Sequence, residues 1–351
     1  MEAQVKAQAL RAFRLKTKAL RAIAVKTNAI RAVAWFFCKT LLLFLAVSLA
    51  AFTLLRLSPI DPVQAYIGAD ASVSNEQKAR IAERWGLNEA PHRQYLKWLG
   101  NICRGDFGES VIFRLPVLTV VKERALASFA LMGFAWLFSG AAGFLLGVLA
   151  GTFHGKWPDK LITTWCLILA SAPTFWLALV LLIIFSVSLG IFPLGLAAPA
   201  GKLAAEVSFG ERIHHLVLPC LALALSGVSY IAMQTRQKLC EVLEQDYVIY
   251  ARARGETQLR IILRHGLRNI ALPALTLQFL SFSELFGGSV LAEQVFAYPG
   301  LGRTAVMAGM QSDAPLLLGI TLFSALFVFT GNTIANSLYH IINPEVKKHY
   351  D

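Results

Sequence analysis

The chain has 351 residues, of which 56% are hydrophobic and only 15% are charged. This balance excludes an ordinary soluble domain, in which about a quarter of the residues carry charge. The formal net charge is +12, but the basic residues lie beside apolar segments, which indicates a membrane protein rather than a protein that binds nucleic acid.

Six apolar segments are long enough to cross a membrane as helices. A helix that spans a hydrocarbon core of ~30 Å needs about 20 mostly apolar residues. Because lipid offers no hydrogen bonds to an open backbone, such segments favour a bundle of helices. The sequence therefore predicts an all-α integral membrane protein whose six helices lie at about 35–57, 125–151, 161–190, 216–235, 273–291 and 314–341.

The distribution of basic residues predicts the orientation of this bundle. Lysines and arginines are concentrated in the first 39 residues, in the turn at 152–160, in 236–272 and in the C-terminal tail. The positive-inside rule places these parts in the cytosol, and both termini are then cytoplasmic. The segment of about 58–124 is expected outside, since long loops are translocated largely regardless of their charge.

The first 34 residues form a basic extension with a period of ten. The tetrapeptide Ala-Leu-Arg-Ala at 9–12 returns at 19–22 and, with isoleucine in place of leucine, at 29–32. Such a segment is typical of a basic helix that is solvated or lies on anionic lipid. We predict that residues 1–34 are a cytoplasmic N-terminal extension and that residues 35–351 form the transmembrane domain.

The outer segment, about 58–124, contains short helical patterns and a turn rich in glycine. Helices are predicted at Glu76–Trp85 and His92–Ile102. Asp106 lies in the turn Gly105–Ser110, where its carboxylate is either a catalytic or metal-binding group or a turn residue. The second interpretation is favoured, because aspartate often stabilises turns by bonding to nearby backbone.

In the third apolar segment, Pro173 predicts a kink. Proline lacks a backbone N–H, so it leaves freed backbone groups inside the apolar run. Such a kink either gates a pathway or merely bends the helix, and both interpretations stay open. Pro173 and the neighbouring aromatic residues Phe175 and Trp176 are candidates for a translocation pathway.

The longest polar break in the second half of the chain is Tyr247–Pro273, which we call the elbow and which carries five arginines. Gly255 is placed where a first short helix would end, because glycine adopts a left-handed conformation at little steric cost. Pro273 is expected in the first turn of the next apolar helix. The pattern predicts two helices joined at a glycine, with a charged surface turned towards a cytosolic partner. One apolar face of the second helix is expected to contain Leu259, Ile262, Leu263 and Leu267.

Glu284 is an acidic residue within the fifth apolar segment. A carboxylate at such a depth costs at least a few kcal/mol unless it faces a partner or water. Glu284 is therefore a candidate pathway residue that contacts a cationic solute or, transiently, a passing metal ion. The other interpretation is a protonated or hydrogen-bonded packing residue.

Several phrases, in the expected order, resemble the permease subunits of ABC importers, and most closely the branch for dipeptides, oligopeptides and nickel. The phrase Tyr-Val-x-x-Ala-Arg-Ala-x-Gly at 247–255 resembles the EAA loop of this family, although the usual acidic residue at its front is absent. The resemblance covers about residues 36–350. Further phrases similar to the family pattern are Arg56–Pro62, Gly105–Ser110, Ser171–Ala178, Arg264–Asn269, Glu293–Arg303 and Asn343–Pro344.

The resemblance implies a six-helix permease bundle in the bacterial inner membrane. A periplasmic segment would separate helices 1 and 2, and a cytoplasmic coupling helix, within a loop of about 236–272, would separate helices 4 and 5. The implied partners are a second homologous permease, two ABC ATPase subunits and a periplasmic solute-binding protein. The residues expected to couple the chain to an ATPase are Tyr247, Ala251, Arg252, Ala253, Gly255, Arg264, His265, Arg268 and Asn269.

The sequence contains no motif for nucleotide binding or catalysis. Gly-x-x-x-x-Gly-Lys-Ser/Thr does not occur, so ATP and Mg²⁺ are expected in partner subunits and no cofactor is expected in this chain. Gly-x-Ser-x-Gly and His-Glu-x-x-His are also absent, so neither a catalytic residue nor a fixed metal site is expected. These absences favour a transport subunit over an enzyme.

Two other functions and the identity of the solute stay open. An ion-coupled secondary transporter would need paired broken helices and several charges within the membrane. An intramembrane enzyme would need a nucleophile with a base, or a metal cluster, and Glu284 alone supplies neither. Nickel, a metal chelate, a dipeptide and an oligopeptide are all candidate solutes, and the resemblance links an acidic residue at position 284 more closely to nickel permeases.

Overall fold

The computed structural model describes residues 38–54, 56–57, 89–202 and 206–342, together with positions 74, 76 and 80. These residues are mainly helical and contain no strand, only an isolated bridge between Glu109 and Pro116. The chain divides into two compact units, Met1–Arg56 and Leu57–Asp351. Outside the described residues lie the N-terminal extension, most of the predicted helix Glu76–Trp85 and of the phrase Arg56–Pro62, and the phrase Asn343–Pro344.

In the first unit, the described helix is α1 (Cys38–Leu54), which is apolar. In the second unit, two π-helical segments interrupt the α-helices: Leu182–Ser188 follows α5 directly, and Ile262–Gly266 connects α8 to α9. The helices of this unit are α2 (Pro91–Cys103), α3 (Val117–Thr152), α4 (Trp157–Ser171), α5 (Thr174–Leu181), α6 (Phe209–Leu243), α7 (Asp246–Ala253), α8 (Gln258–Ile261), α9 (Leu267–Leu280), α10 (Phe282–Val295), α11 (Leu301–Met310) and α12 (Ala314–Ile342).

Three described helices are long and apolar enough to cross a membrane: α3, α6 and Ala314–Ala335 of α12. Two bent pairs pass the same criterion, namely α4 with Thr174–Ser188, bent by 107°, and Gln258–Leu280 with Glu284–Val295, bent by 57°. Counting each pair as one span gives five spans in the described part of the chain, and α1 is shorter. The all-helical membrane fold is confirmed, whereas the number of six spans stays a prediction.

Glycines let α3 and α6 pack with their backbones unusually close. A Cβ atom at Gly143 would lie 2.9 Å from the carbonyl oxygen of Val228, and one at Gly147 would lie 2.5 Å from that of Ala232. Both distances are below van der Waals contact, so only glycine fits without a shift of the backbone. In lipid the hydrophobic effect does not drive helices together, so their association depends on close van der Waals packing, which small residues allow. Gly133, in contrast, faces open space.

A buried aspartate joins the turn Gly105–Ser110 to α12. Asp313 precedes that helix and accepts a hydrogen bond from the Leu316 amide (3.1 Å), which is the usual bond of a helix N-cap. Its second oxygen accepts bonds from the Ser110 hydroxyl (2.5 Å) and the Ile112 amide (3.0 Å). In the same turn, Asp106 accepts a bond from the Gly108 amide (2.9 Å). The interpretation of Asp106 as a turn residue is therefore confirmed.

Candidate functional site

The first limb of the elbow is α7, and it ends as predicted. Gly255 has a φ angle of +84°, which is the left-handed conformation that glycine adopts readily. The Gly255 amide donates to the Arg252 carbonyl (2.9 Å), and the Glu256 amide donates to the Ala251 carbonyl (3.2 Å). These two bonds form a Schellman motif, which satisfies the last carbonyl groups of the helix.

The second limb of the elbow runs into the next apolar helix without a stop. From Gln258 the chain passes through α8 and the π-helical segment into α9, and Gly266 has a helical φ of −66°. Pro273 lies inside α9 rather than in its first turn, so that prediction is wrong. The reason is that no residue between Gln258 and Pro273 adopts a helix-ending conformation. The missing N–H of Pro273 instead leaves one bond of α9 unmade.

The elbow is anchored to the C-terminal end of α6 by a buried apolar cluster. A Cβ atom at Gly266 would lie 3.0 Å from Leu239, so the absence of a side chain at position 266 lets α6 approach this limb closely. Ala251, one of the residues expected to couple the chain to an ATPase, is a buried member of the cluster and therefore supports the elbow from inside. The buried members are Leu239 and Leu243 of α6 and Val248, Ala251, Ile261 and Ile270 of the elbow.

The opposite face of the elbow carries arginines and exposed apolar side chains. Leu259 and Leu263 are 66% and 57% exposed, whereas Ile262 is buried. The four apolar residues predicted to share one face are therefore divided between two faces, because α6 packs only on the side that carries Gly266. Ala253 is exposed too. All five arginines are exposed: Arg252, Arg254, Arg260, Arg264 and Arg268.

A polar cluster holds the two limbs together. The Asn269 side-chain amide donates to the Tyr247 hydroxyl (3.0 Å) and to the His265 carbonyl (2.8 Å). The rings of Tyr247 and His265 have centroids 6.0 Å apart, and His265 Nε2 lies 3.7 Å from Glu256 Oε2. The structure thus brings together three predicted coupling residues, Tyr247, His265 and Asn269, and adds Glu256, which the sequence interpretation missed.

The candidate pathway residues lie at the two breaks in the bent helix pairs. Pro173 separates α4 from α5 at the bend of 107°, so the predicted kink is confirmed. Phe175 and Trp176 are exposed in the first turn of α5. Glu284 is exposed in the first turn of α10, beside the bend of 57° that begins that helix.

Besides Asp313, two buried acids with structural partners, Asp159 and Glu293, were missed by the sequence interpretation. Asp159 of α4 forms a bidentate ion pair with Arg236 of α6, with a distance of 2.8 Å between Arg236 Nη2 and Asp159 Oδ2. The available signal was that Asp159 is the single acidic residue between Glu123 and Glu206. An isolated acid in a long apolar region needs a charged partner.

Glu293 is fully buried in α10. Its carboxylate accepts bonds from the Ser128 hydroxyl (2.6 Å) and the Arg303 amide (3.1 Å) at the start of α11. The Arg303 amide is one of the N–H groups at a helix start that have no partner inside the helix, and Glu293 supplies that partner. A Cβ atom at Gly300 would collide with this carboxylate, which explains the glycine in the phrase Glu293–Arg303.

Comparisons with known proteins all point to one family of transport proteins. A family model described as "Binding-protein-dependent transport system inner membrane component" matches residues 143–348. The chain is 35% identical over 308 residues to an oligopeptide transport system permease protein of Bacillus subtilis, covering 86% of this chain and 95% of the relative. It is 34% identical over 319 residues to a di/tripeptide transport system permease protein of Pseudomonas aeruginosa, covering 87% and 95%. It is 32% identical over 304 residues to a glutathione transport system permease protein of Salmonella typhimurium, covering 86% and 94%.

These matches confirm the resemblance to ABC importer permeases of the peptide branch. Proteins of this family are transport subunits rather than enzymes, lie in the membrane as multi-pass proteins, and act with ATPase and binding-protein partners. The chain belongs to the family of binding-protein-dependent transport system inner membrane components, and it is an ABC importer permease.

Proposed function

We propose that this chain forms one half of the translocation pathway of an ATP-driven importer for short peptides. A second homologous permease supplies the other half, and a periplasmic binding protein delivers the solute. The names of the relatives, which transport oligopeptides, di- and tripeptides and glutathione, support this solute class. Nickel or a metal chelate is the second candidate, and the exposed carboxylate of Glu284 favours it.

The observation that carries the proposal is the two-sided construction of the elbow. One side packs on Leu239 and Leu243 of α6, so a force on the elbow is applied directly to a long apolar helix. The other side presents exposed arginines together with the exposed side chains of Leu259 and Leu263. Arginine pairs with carboxylates in a bidentate geometry, so this face fits an apolar groove with an acidic rim on an ATPase subunit.

In this proposal, two ATPase subunits bind and hydrolyse ATP with Mg²⁺, and this chain holds no cofactor. Closure of the two ATPase subunits moves the elbow, which then shifts the bundle between outward-facing and inward-facing states. Such a bistable element, biased by a partner, is what coupling between two sites requires. The elbow and both termini are cytoplasmic in this arrangement, and the segment of about 58–124 is periplasmic.

The bends in the helix pairs are the proposed sites of contact with the solute. Pro173, Phe175 and Trp176 lie at the start of α5, and Glu284 lies at the start of α10. A carboxylate at this position contacts the amino group of a peptide or a metal cation. Broken helices are tolerated in a membrane where the freed backbone lines a cavity, so we place these residues along the pathway.

Site-specific crosslinking tests the docking of the elbow. A photoreactive amino acid replaces Leu263, and a matched control replaces Leu96 of α2, which is also exposed. We expect the purified complex to show a crosslink to the ATPase from position 263 and none from position 96. The absence of a crosslink from 263 in an assembled complex contradicts the docking role.

Uptake measurements test the energy source and the solute. Proteoliposomes that contain the whole complex receive labelled trialanine or radioactive nickel, each with the binding protein. We expect trialanine uptake that depends on ATP. Uptake of nickel without uptake of trialanine identifies nickel as the solute instead. Uptake that needs an ion gradient and no ATPase favours a secondary transporter.

A further inference from the structure

Asp159 lies at the start of α4 and is only 2% exposed, yet four donors from three parts of the chain converge on its carboxylate. Arg236 of α6 donates through Nε to Oδ1 (2.5 Å) and through Nη2 to Oδ2 (2.8 Å). The Gly155 amide, in the turn before α4, donates to Oδ2 (2.8 Å), and the Thr163 hydroxyl donates to Oδ1 (3.2 Å). His154 Nδ1 lies 3.2 Å from Arg236 Nη2. The turn after α3, the start of α4 and the end of α6 therefore meet at one ion pair, in which Asp159 is buried and Arg236 is partly exposed.

The same end of α6 carries the elbow. Leu239 follows Arg236 by three residues, so the two side chains lie on neighbouring positions of one helix face. Leu239 is fully buried and packs in the apolar cluster with Val248 and Ile261 of the elbow. A Cβ atom at Gly151 of α3 would lie 2.9 Å from Leu239. One turn of α6 thus contacts α4 through a charge and both α3 and the elbow through an apolar side chain.

An ion pair suits a mechanical role at this position. A buried ion pair adds little net stability compared with an apolar pair of the same size, but removal of one partner leaves an uncompensated buried charge. The bidentate arrangement also adds geometric specificity to the contact between the two helices. α4 then leads directly to the bend at Pro173.

We propose that Asp159 and Arg236 are positioning residues for energy coupling. They join α4 to the end of α6 that carries the elbow. A displacement of the elbow therefore moves α4, and the movement of α4 is transmitted to the bend at Pro173. The proposal rests on the proposed docking of the elbow to an ATPase. It assigns the role of transmission to two residues outside both the elbow and the helix breaks that carry the candidate pathway residues.

The test uses the whole complex in proteoliposomes with Asp159→Asn and Arg236→Lys. Asp159→Asn removes the charge at nearly constant volume, and Arg236→Lys keeps a charge but loses the bidentate geometry. The matched control is Lys238→Gln, because Lys238 forms an exposed ion pair with Glu241 on the same helix, and such pairs contribute little. The first readout is the ratio of trialanine imported to ATP hydrolysed.

We expect both variants to assemble and to hydrolyse ATP at a rate within about twofold of the wild type, because in the proposed function the partner subunits bind the nucleotide. The ratio of import to hydrolysis should fall at least about fivefold, the lower end of typical coupling factors. Arg236→Lys should lose less than Asp159→Asn, and Lys238→Gln should keep the wild-type ratio. If Asp159→Asn does not assemble, Arg236→Lys decides the outcome.

The second readout does not depend on the solute. Spin labels at two exposed positions, Lys160 of α4 and Ile249 of α7, report the distance between α4 and the elbow with and without trapped ATP. We expect one constant distance in the wild type and in Lys238→Gln, and a nucleotide-dependent distance in Asp159→Asn and Arg236→Lys. Constant distances and wild-type ratios in both variants overturn the inference.

If the proposed docking of the elbow is itself wrong, the experiments give a different result from a failure of the transmission role. In that case the wild-type complex itself shows no crosslink from position 263 to the ATPase. If the wild type crosslinks and imports solute but the variants at Asp159 and Arg236 remain fully coupled, only the transmission role is wrong.

Discussion

The side-chain amide of Asn269 donates a hydrogen bond of 3.0 Å to the hydroxyl of Tyr247, 22 positions earlier in the chain. Tyr247 belongs to α7 and Asn269 to the first turn of α9, so this bond spans the turn at Gly255 and links the two limbs of the elbow. The same amide also donates to the His265 carbonyl. The angle between the limbs therefore depends on a small number of polar contacts beside the apolar cluster.

Tyr247→Phe is expected to loosen the elbow without unfolding it. A hydrogen bond contributes about 0.5–1.5 kcal/mol net, so backbone amides of α7 should exchange about two- to tenfold faster. Hydrogen exchange with mass spectrometry on peptides of the elbow measures this effect. Tyr250→Phe is the control, because Tyr250 is 65% exposed. Equal exchange in the two variants contradicts a linking role for the Tyr247 hydroxyl.

Charge reversal at Arg252 or Arg264 is expected to uncouple transport. Both side chains are exposed on the face of the elbow that we place against the ATPase. Reversal replaces attraction by repulsion at an interface, so co-purification of the ATPase and ATP-dependent uptake should each fall at least about tenfold. Membrane insertion should stay normal. Arg104→Glu, an exposed arginine in the predicted periplasmic segment, is the control for the change of charge itself. Wild-type uptake in both elbow variants removes the docking role.

Local features of the fold follow well from the sequence. The long apolar segments predicted α3, α6 and α12 because the length of a membrane-spanning helix is fixed by the thickness of the bilayer. Gly255 and Asp106 were correctly placed in turns, since each acts through bonds to residues within a few positions of itself. Such short-range chemistry can be predicted without knowledge of the tertiary structure.

Features that depend on packing did not follow from the sequence. Asp159 and its partner Arg236 are 77 positions apart, and Glu293 and Ser128 are 165 positions apart. No periodicity in the sequence connects such pairs, since only the packing of the helices that carry them brings them together. The exposure of Leu259 and Leu263 likewise depends on which side of the elbow α6 occupies.

Gly147→Ala is expected to destabilise the contact between α3 and α6. The added Cβ atom would lie 2.5 Å from the carbonyl oxygen of Ala232, and because this oxygen belongs to the backbone, the helices must separate. Overpacking of this kind costs about 1–3 kcal/mol, so the apparent Tm in detergent should fall by several degrees. Gly133→Ala on the same helix meets no atom within 4 Å and should keep or raise Tm, because alanine favours helices. Equal Tm values for the two variants contradict the close contact.

Glu284→Gln is expected to impair uptake of a positively charged solute while the complex assembles normally. Hydrogen bonds to charged groups contribute about 1.5–3 kcal/mol, so the loss of the carboxylate should lower uptake by about tenfold or more. Glu284→Asp keeps the charge and should retain a larger share of uptake. The amino group of a peptide and a metal cation can each pair with a carboxylate, so labelled trialanine and radioactive nickel are measured in parallel, and the solute whose uptake falls is the one that depends on Glu284. Unchanged uptake of both solutes in Glu284→Gln contradicts the pathway role. Glu284 would then be a packing residue that is exposed in the single chain and covered by a neighbouring helix in the assembled importer.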